Sequence, residues 1–379
     1  MNWEPQGMYS KFLLKQPTIL FGENALMGLK TYACTRVSVI YGSSLDDEYK
    51  RKVSNALSSF EISFVKKTWH GEPTLKSLHS TIKEIEEFQP DLIIAIGGGS
   101  VIDGAKMVRT YYEFPFFDVR ETSFSMLNWK TTFVAIPTTI GSGAEISSAS
   151  VMYSESQKTK EFVISHQFIP EIIVLEVSLI ENAPKRVLLT SMVDALSHAI
   201  EGYMSTIDNL LVDSYAEKAI QIIAEYHHVI TSGTEKEFIN KLQLASLFAG
   251  LVQNHCIVGA THALAHQMSS YGLSHAGAIA LFLPAVIRKN IDSPNPKARF
   301  DQLAKHSGFT KGADLLNFVE SFIAGIDLTK EKDTLKKNRQ RIISDNAFFE
   351  QALSDKGGQG NPVPMNKEFL LEIFKEASS

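Results

Sequence analysis

Apolar residues recur in two rhythms along this chain, and the switch between them divides it. In the first half, short β-branched runs alternate with stretches whose apolar residues fall at helical spacing, the pattern of strand and crossover helix in a parallel sheet. Val37–Tyr41 reads as a strand, Leu45–Phe60 as a helix, Ile62–Val65 as the next strand and Leu75–Phe88 as a helix. Asp91–Ile96 predicts a buried strand running straight into three glycines, and Thr132–Ile136 predicts another that ends at Pro137. Beyond about residue 178 the β-branched runs give way to long periodic segments, Val187–Ser205, Asn209–His228, Glu235–Val252, His262–Tyr271 and Ala276–Arg288. These predict a second, all-helical domain, entered through the helix-start signal Asn182-Ala183-Pro184. The expected organisation is an α/β domain over residues 1–178 and an all-α domain over 179–379.

Bulk properties narrow the classes. The chain has 379 residues, 44% hydrophobic and 21% charged, with a formal net charge of -5. That suits a globular protein with two cores. No block of basic residues offers a footprint for nucleic acid. Apolar runs are broken by Gly or Pro well short of the ~20 residues that cross a bilayer, so no membrane span is expected. Met1–Lys15 lacks the basic and then apolar regions of a signal peptide, which points to a cytoplasmic protein. The two cysteines, Cys34 and Cys256, are too few for a disulfide framework and read as buried thiols.

Three stretches carry candidate chemistry. Gly97-Gly98-Gly99-Ser100-Val101-Ile102-Asp103-Gly104-Ala105-Lys106 lies between a strand and a helix, where glycines let backbone N–H groups approach a diphosphate and the helix N-terminus favours the anion. Its spacing is not G-x-G-x-x-G, so the ordinary dinucleotide fingerprint is not met. A second polar loop, Pro137-Thr138-Thr139-Ile140-Gly141-Ser142-Gly143-Ala144-Glu145, follows the next strand and suits ribose and nicotinamide recognition. In the helical half, Asp194 and His198 stand at i, i+4, as do His262 and His266, with His275 close behind. Alone, either pair reads as a contact along one helix face. Together they read as a metal site, and a carboxylate with imidazoles suits Fe(II) or Zn(II) better than Mg or Ca.

In their order, GGGSVIDGAK, PTTIGSGAE, DALSHAIEGY and HALAH with its following SH, the motifs resemble those of the iron-containing alcohol dehydrogenases, a family within the dehydroquinate-synthase-like superfamily. The likeness extends from Pro17 and Phe21-Gly22 to Asn361-Pro362. It implies a Rossmann-like nucleotide-binding domain, an all-α metal-binding domain, an active site in the cleft between them and a homodimer. By position, the metal ligands fall on Asp194, His198, His262 and His275, with His266 as a catalytic histidine beside the substrate. Cofactor contacts fall on Gly97, Gly98, Gly99, Ser100, Asp103, Thr138, Thr139, Ser142 and Lys160. Met192 stands where a glycine is common, and the late loop Gly357-Gly358-Gln359-Gly360 lacks a common cysteine. Gly42-Ser43-Ser44 follows the first strand where an acidic residue would hold the ribose 2′-hydroxyl of NAD, so NADP is favoured over NAD. The reaction implied is hydride transfer between NAD(P) and a small alcohol or aldehyde, polar if Gln253, Asn254, His255 and Lys356 line the pocket. The rival readings are a dehydroquinate-synthase-like lyase, a glycerol-dehydrogenase-like enzyme and a non-enzymatic metal-binding protein.

Overall fold

In the computed structural model, the described residues are 17–379 apart from Ser44, 119–126, 156–158, Asn182 and 233–235. Ser44, Asn182, Glu235 and the segment Met1–Lys15, all used in the sequence reading, therefore lie outside the described residues. The N-terminal half forms a six-stranded parallel sheet in the order β1-β8-β5-β4-β2-β3. Its strands are β1 (Thr18–Gly22), β2 (Arg36–Tyr41), β3 (Glu61–Lys66), β4 (Leu92–Gly97), β5 (Thr132–Pro137) and β8 (Ile172–Glu176). β6 (Ala149–Ser154) and β7 (Thr159–Ile164) form a separate antiparallel hairpin. Helices α1 (Asp47–Ala56), α2 (Leu75–Phe88) and α3 (Gly99–Glu113) are the crossovers.

β4 is buried along its whole length because its two faces enter different cores. Ile93 and Ala95 pack with α2 and α3, while Leu92, Ile94 and Ile96 pack with α1 on the other side. This explains the continuous apolar run, which a one-sided sheet would not tolerate.

The remainder is helical: α4 (Lys185–Met204), α5 (Leu210–Tyr226), the short α6 (Val229–Ser232), α7 (Lys236–His255), α8 (Ala260–Gln267), α9 (His275–Ile291), α10 (Pro294–His306), α11 (Gly312–Ala324), α12 (Thr329–Ser344), α13 (Asn346–Ser354) and α14 (Lys367–Ala377). An α/β sheet half followed by an all-α half is the architecture expected from the two apolar rhythms. Contacts group the residues by packing rather than by element type. Among the described residues, one compact unit takes Pro17–Ala195 together with Ile222–Gly250, and the other takes Leu196–Gln221 with Leu251–Ser379. In the first unit a helical backbone lies directly on the polar loops: a Cβ on Gly141 would come within 2.1 Å of the Ser191 carbonyl, and one on Gly250 within 2.8 Å of Gly143 Cα. Among the described residues no single helix is long and apolar enough to cross a membrane.

Candidate active site

α4 is buried around most of its circumference, so Asp194 and His198, one turn apart, are held in a packed helix and not on a mobile surface. α8 is likewise buried at His262, and His275 is the first residue of α9, where Ser274 caps the helix by accepting the Gly277 N–H at 3.3 Å. Ligand atoms of Asp194, His262 and His275 all lie within 4.8 Å of one another. His198 falls outside that trio and stacks on His262, with ring centroids 4.7 Å apart and planes at 21°. His266 stacks on His275 at 5.2 Å and 13°. One carboxylate and two imidazoles thus converge, with His198 and His266 stacked against the two rings, a donor set that suits a first-row divalent ion.

A residue given no role in the sequence reading fixes this arrangement. Glu201 Oε2 accepts from His262 Nδ1 at 2.6 Å, and Oε1 accepts the Thr261 backbone N–H at 2.8 Å. Burial alone would raise the Glu201 carboxyl, but the hydrogen bonds from His262 and Thr261 hold it below its ordinary value. With the Nδ1 proton committed to Glu201, the His262 tautomer is one whose Nε2 lone pair could ligate a metal. The signal was legible: Asp194, His198 and Glu201 stand at i, i+4, i+7 on one face of α4.

His266 has its own carboxylate. Its Nδ1 donates to Asp355 Oδ2 at 2.8 Å, while Asp355 Oδ1 accepts the Gly357 N–H at 2.8 Å and ties the late glycine loop to the same histidine. Nε2 is thereby left as the proton-accepting nitrogen. If His266 has the catalytic role that the sequence resemblance implies, His266→Ala is expected to keep the metal and lower kcat by roughly 10²- to 10⁴-fold, the usual contribution of a proton-transferring group. Metal analysis beside steady-state kinetics checks this; loss of metal from the variant would make His266 a ligand instead.

Of the residues expected to bind a cofactor, Gly42, Ser43, Gly97 to Ser100, Thr138, Thr139 and Ser142 lie at the carboxyl ends of the parallel strands. After β2 the chain moves outward to β3, and after β3 it returns to β4 on the other side of β2, so the topological switch point lies between β2 and β4. Crevices at such points bind nucleotides. The turn after β4 opens α3, with Gly98 as its N-cap. Gly98 faces Thr139, and a Cβ on Gly99 would press within 3.0 Å of Ser142 Oγ, so the two polar loops form one cradle that larger side chains would fill. Thr138 N–H donates to the Gly97 carbonyl at 3.0 Å, and Gly42 N–H to that of Ile96 at 3.2 Å. Ser43 is exposed beside it.

Two expected cofactor residues have other partners here. Asp103 is buried 3.6 Å from the fully buried Lys106 ammonium, which also donates to the carbonyls of Ser147 at 2.9 Å and Ala149 at 2.6 Å. Burial pushes Asp103 up to about 6 and nearby Glu145 up to about 7. It pushes Lys106 down. Lys160, on β7, lies 2.6 Å from Glu72. Gln253, Asn254 and His255 form the half-buried last turn of α7, where His255 Nδ1 meets the Leu251 carbonyl at 2.8 Å; Lys356 is exposed.

Two family models match the chain: iron-containing alcohol dehydrogenase over residues 16–177, and the C-terminal part of the Fe-containing alcohol dehydrogenase family over 188–378. An alcohol dehydrogenase of Thermococcus barophilus is 30% identical over 389 aligned residues, covering 97% of this chain and 99% of that one. The NADPH-dependent butanol dehydrogenase of Clostridium saccharobutylicum is 30% identical over 322 residues, covering 80% and 81%. The solved structure of an iron-containing alcohol dehydrogenase from Thermococcus thioreducens superposes with a TM-score of 0.84 at 25% identity, covering 97% and 99%.

Proposed function

Since this chain belongs to the iron-containing alcohol dehydrogenase family and is an NAD(P)-linked alcohol dehydrogenase, we propose that Asp194, His198, His262 and His275 hold its metal, Fe(II) in the first place and Zn(II) as the alternative. The single observation carrying this is the convergence of Asp194, His262 and His275 within 4.8 Å, with Glu201 behind His262. A divalent ion bound there would polarise the substrate oxygen and favour the alkoxide over the alcohol. Glu201 fixes the His262 tautomer. His266, oriented by Asp355, takes the proton released on alcohol oxidation and returns it on aldehyde reduction. Gly97, Gly98, Gly99 and Ser100 receive the diphosphate, Thr138, Thr139 and Ser142 the nicotinamide half, and Gly42 and Ser43 leave room for an NADP 2′-phosphate. Asp103 and Lys160 support the cradle through Lys106 and Glu72. In functional terms the division is 1–178 for cofactor and 179–379 for metal and substrate, in a cytoplasmic homodimer.

The substrate proposed is a small polar aldehyde, or its alcohol. Gln253 and Asn254 lie half-buried in the last turn of α7, shortly before α8 brings in His262, and polar side chains at the pocket would favour a substrate that can hydrogen-bond over a plain alkyl chain. Protein reconstituted anaerobically with Fe(II) is expected to give a higher kcat/KM with a hydroxyaldehyde or a carboxylate-bearing aldehyde than with butanal. Butanal ranking first, with Gln253→Phe leaving the order unchanged, would remove these residues from substrate recognition.

A further inference from the structure

β3 delivers a cation to the crevice that none of the sequence motifs contains. Lys67 follows β3 directly, and its backbone N–H donates to the Tyr41 carbonyl at 3.0 Å, carrying the β2–β3 pairing one step further. Two residues on, the buried Trp69 donates its indole N–H to the Ser100 carbonyl at 3.0 Å. Its ring fills the space over Gly104, where an added Cβ would meet Cζ2 at 2.2 Å. The segment after β3 is thus clamped to the first turns of α3. From that clamp, the Lys67 ammonium donates to Ser100 Oγ at 2.9 Å, at the edge of the glycine-rich turn.

The position of this ammonium follows from the strand order. β2 lies between β3 and β4, so a side chain that starts after β3 and ends on Ser100 passes the carboxyl end of β2, where the chain continues as Gly42-Ser43. The adenosine ribose of a dinucleotide sits at this place in doubly wound sheets: an acidic residue there accepts from the 2′-hydroxyl of NAD, and a cation accommodates the 2′-phosphate of NADP. Here the side chains offered are a serine and a lysine. Lys67 is half-buried, and burial lowers its pKa while Glu72 raises it. Glu72 is itself held by Lys160 at 2.6 Å. The diphosphate has backbone N–H groups and the α3 N-terminus to receive it, on the β4 side of the switch point. Lys67 approaches from the β3 side.

We propose that Lys67 is a specificity-determining residue of this enzyme, binding the 2′-phosphate of NADP(H) by exchanging its hydrogen bond to Ser100 for a charge-assisted one to the phosphate. The proposal rests on the reading of the switch-point crevice as the dinucleotide site. Charge-assisted hydrogen bonds of this kind contribute roughly 10- to 100-fold in affinity.

The test uses the full-length, metal-free protein titrated calorimetrically with adenosine 2′,5′-bisphosphate and with adenosine 5′-monophosphate, which differ by the 2′-phosphate alone. Wild type is expected to favour the bisphosphate. Lys67→Gln is expected to weaken bisphosphate binding by roughly 10- to 100-fold, with monophosphate binding far less affected, and to cut the NADPH-to-NADH ratio of kcat/KM in proportion. Lys67→Arg, which keeps a donor cation, is expected to restore most of the preference. Equal weakening of both nucleotides by Lys67→Gln would assign the lysine to the diphosphate or to loop structure and overturn the proposal, as would no weakening of either. Failure of the wild type to bind both nucleotides, and NADPH as well, would instead overturn the assignment of the crevice.

Discussion

His262→Ala and Asp194→Ala are each expected to yield folded protein that no longer retains metal, with content falling from about one ion per chain to background. The reason is geometric. Ligand atoms of Asp194, His262 and His275 already lie within 4.8 Å of one another, with Asp194 and His262 buried, so affinity at the proposed site would come from a preformed set and not from any one residue. Removing a member leaves a donor set too small to compete with water. The α4, α8 and α9 backbones do not depend on the two side chains for their own hydrogen bonds, so circular dichroism is expected to be unchanged. Glu201→Gln belongs to the same series and is expected to weaken metal binding by roughly 10- to 100-fold, since the partner that orients a ligating histidine has an effect of that size. Elemental analysis after gel filtration is the measurement. Wild-type metal content in both alanine variants would remove the site.

Lys106→Met is expected to destabilise the protein by about 3–5 kcal/mol, the usual cost of removing one partner of a buried ion pair. Its ammonium is fully buried and serves Asp103 together with the carbonyls of Ser147 and Ala149. Methionine fills a similar volume but leaves the two carbonyls without that donor. The loss should also depend on pH. Asp103 and Glu145 have folded-state pKa values raised from 3.8 to about 6 and from 4.5 to about 7, so each contributes stability at low pH that is lost as pH rises through its folded value. Burial is the main cause of both shifts, and Lys106 opposes it. Without Lys106 both values rise further, and the range over which stability falls extends upward. The deficit of the variant is therefore expected to be larger at pH 8 than at pH 5. Urea unfolding at the two values checks it, and a deficit below about 1 kcal/mol at pH 8 would show that the lysine is not what holds this cluster.

Much of the candidate site was legible in the chain because its chemistry is local. The i, i+4 pairs Asp194–His198 and His262–His266 are set by helix periodicity, and three glycines after an apolar run announce a tight strand-to-helix turn. Leu75–Phe88 was readable to the residue, because its apolar spacing coincides with the Thr74–Ser77 capping box. The reading of Leu45–Phe60 was too long, since Leu45 lies before the Asp46 N-cap and the helix stops at Ala56.

The sequence by itself determined the two rhythms and hence the order of sheet and helices, the family, and the residue types able to bind metal and phosphate. Tertiary structure alone decided which of them meet. Asp355 reaches His266 across 89 positions and Glu201 reaches His262 across 61, distances over which no periodicity links residues. Lys67 comes to Ser100 only because strand order puts β2 between β3 and β4. The edge strand β1 pairs with the distant β8, and the antiparallel hairpin β6–β7 is separate from the parallel sheet; such pairing leaves a weak local trace. Periodicity records which face of an element is buried; it carries no record of what that face is buried against, and the partners of Asp103, Lys106 and Lys160 were settled by packing in three dimensions.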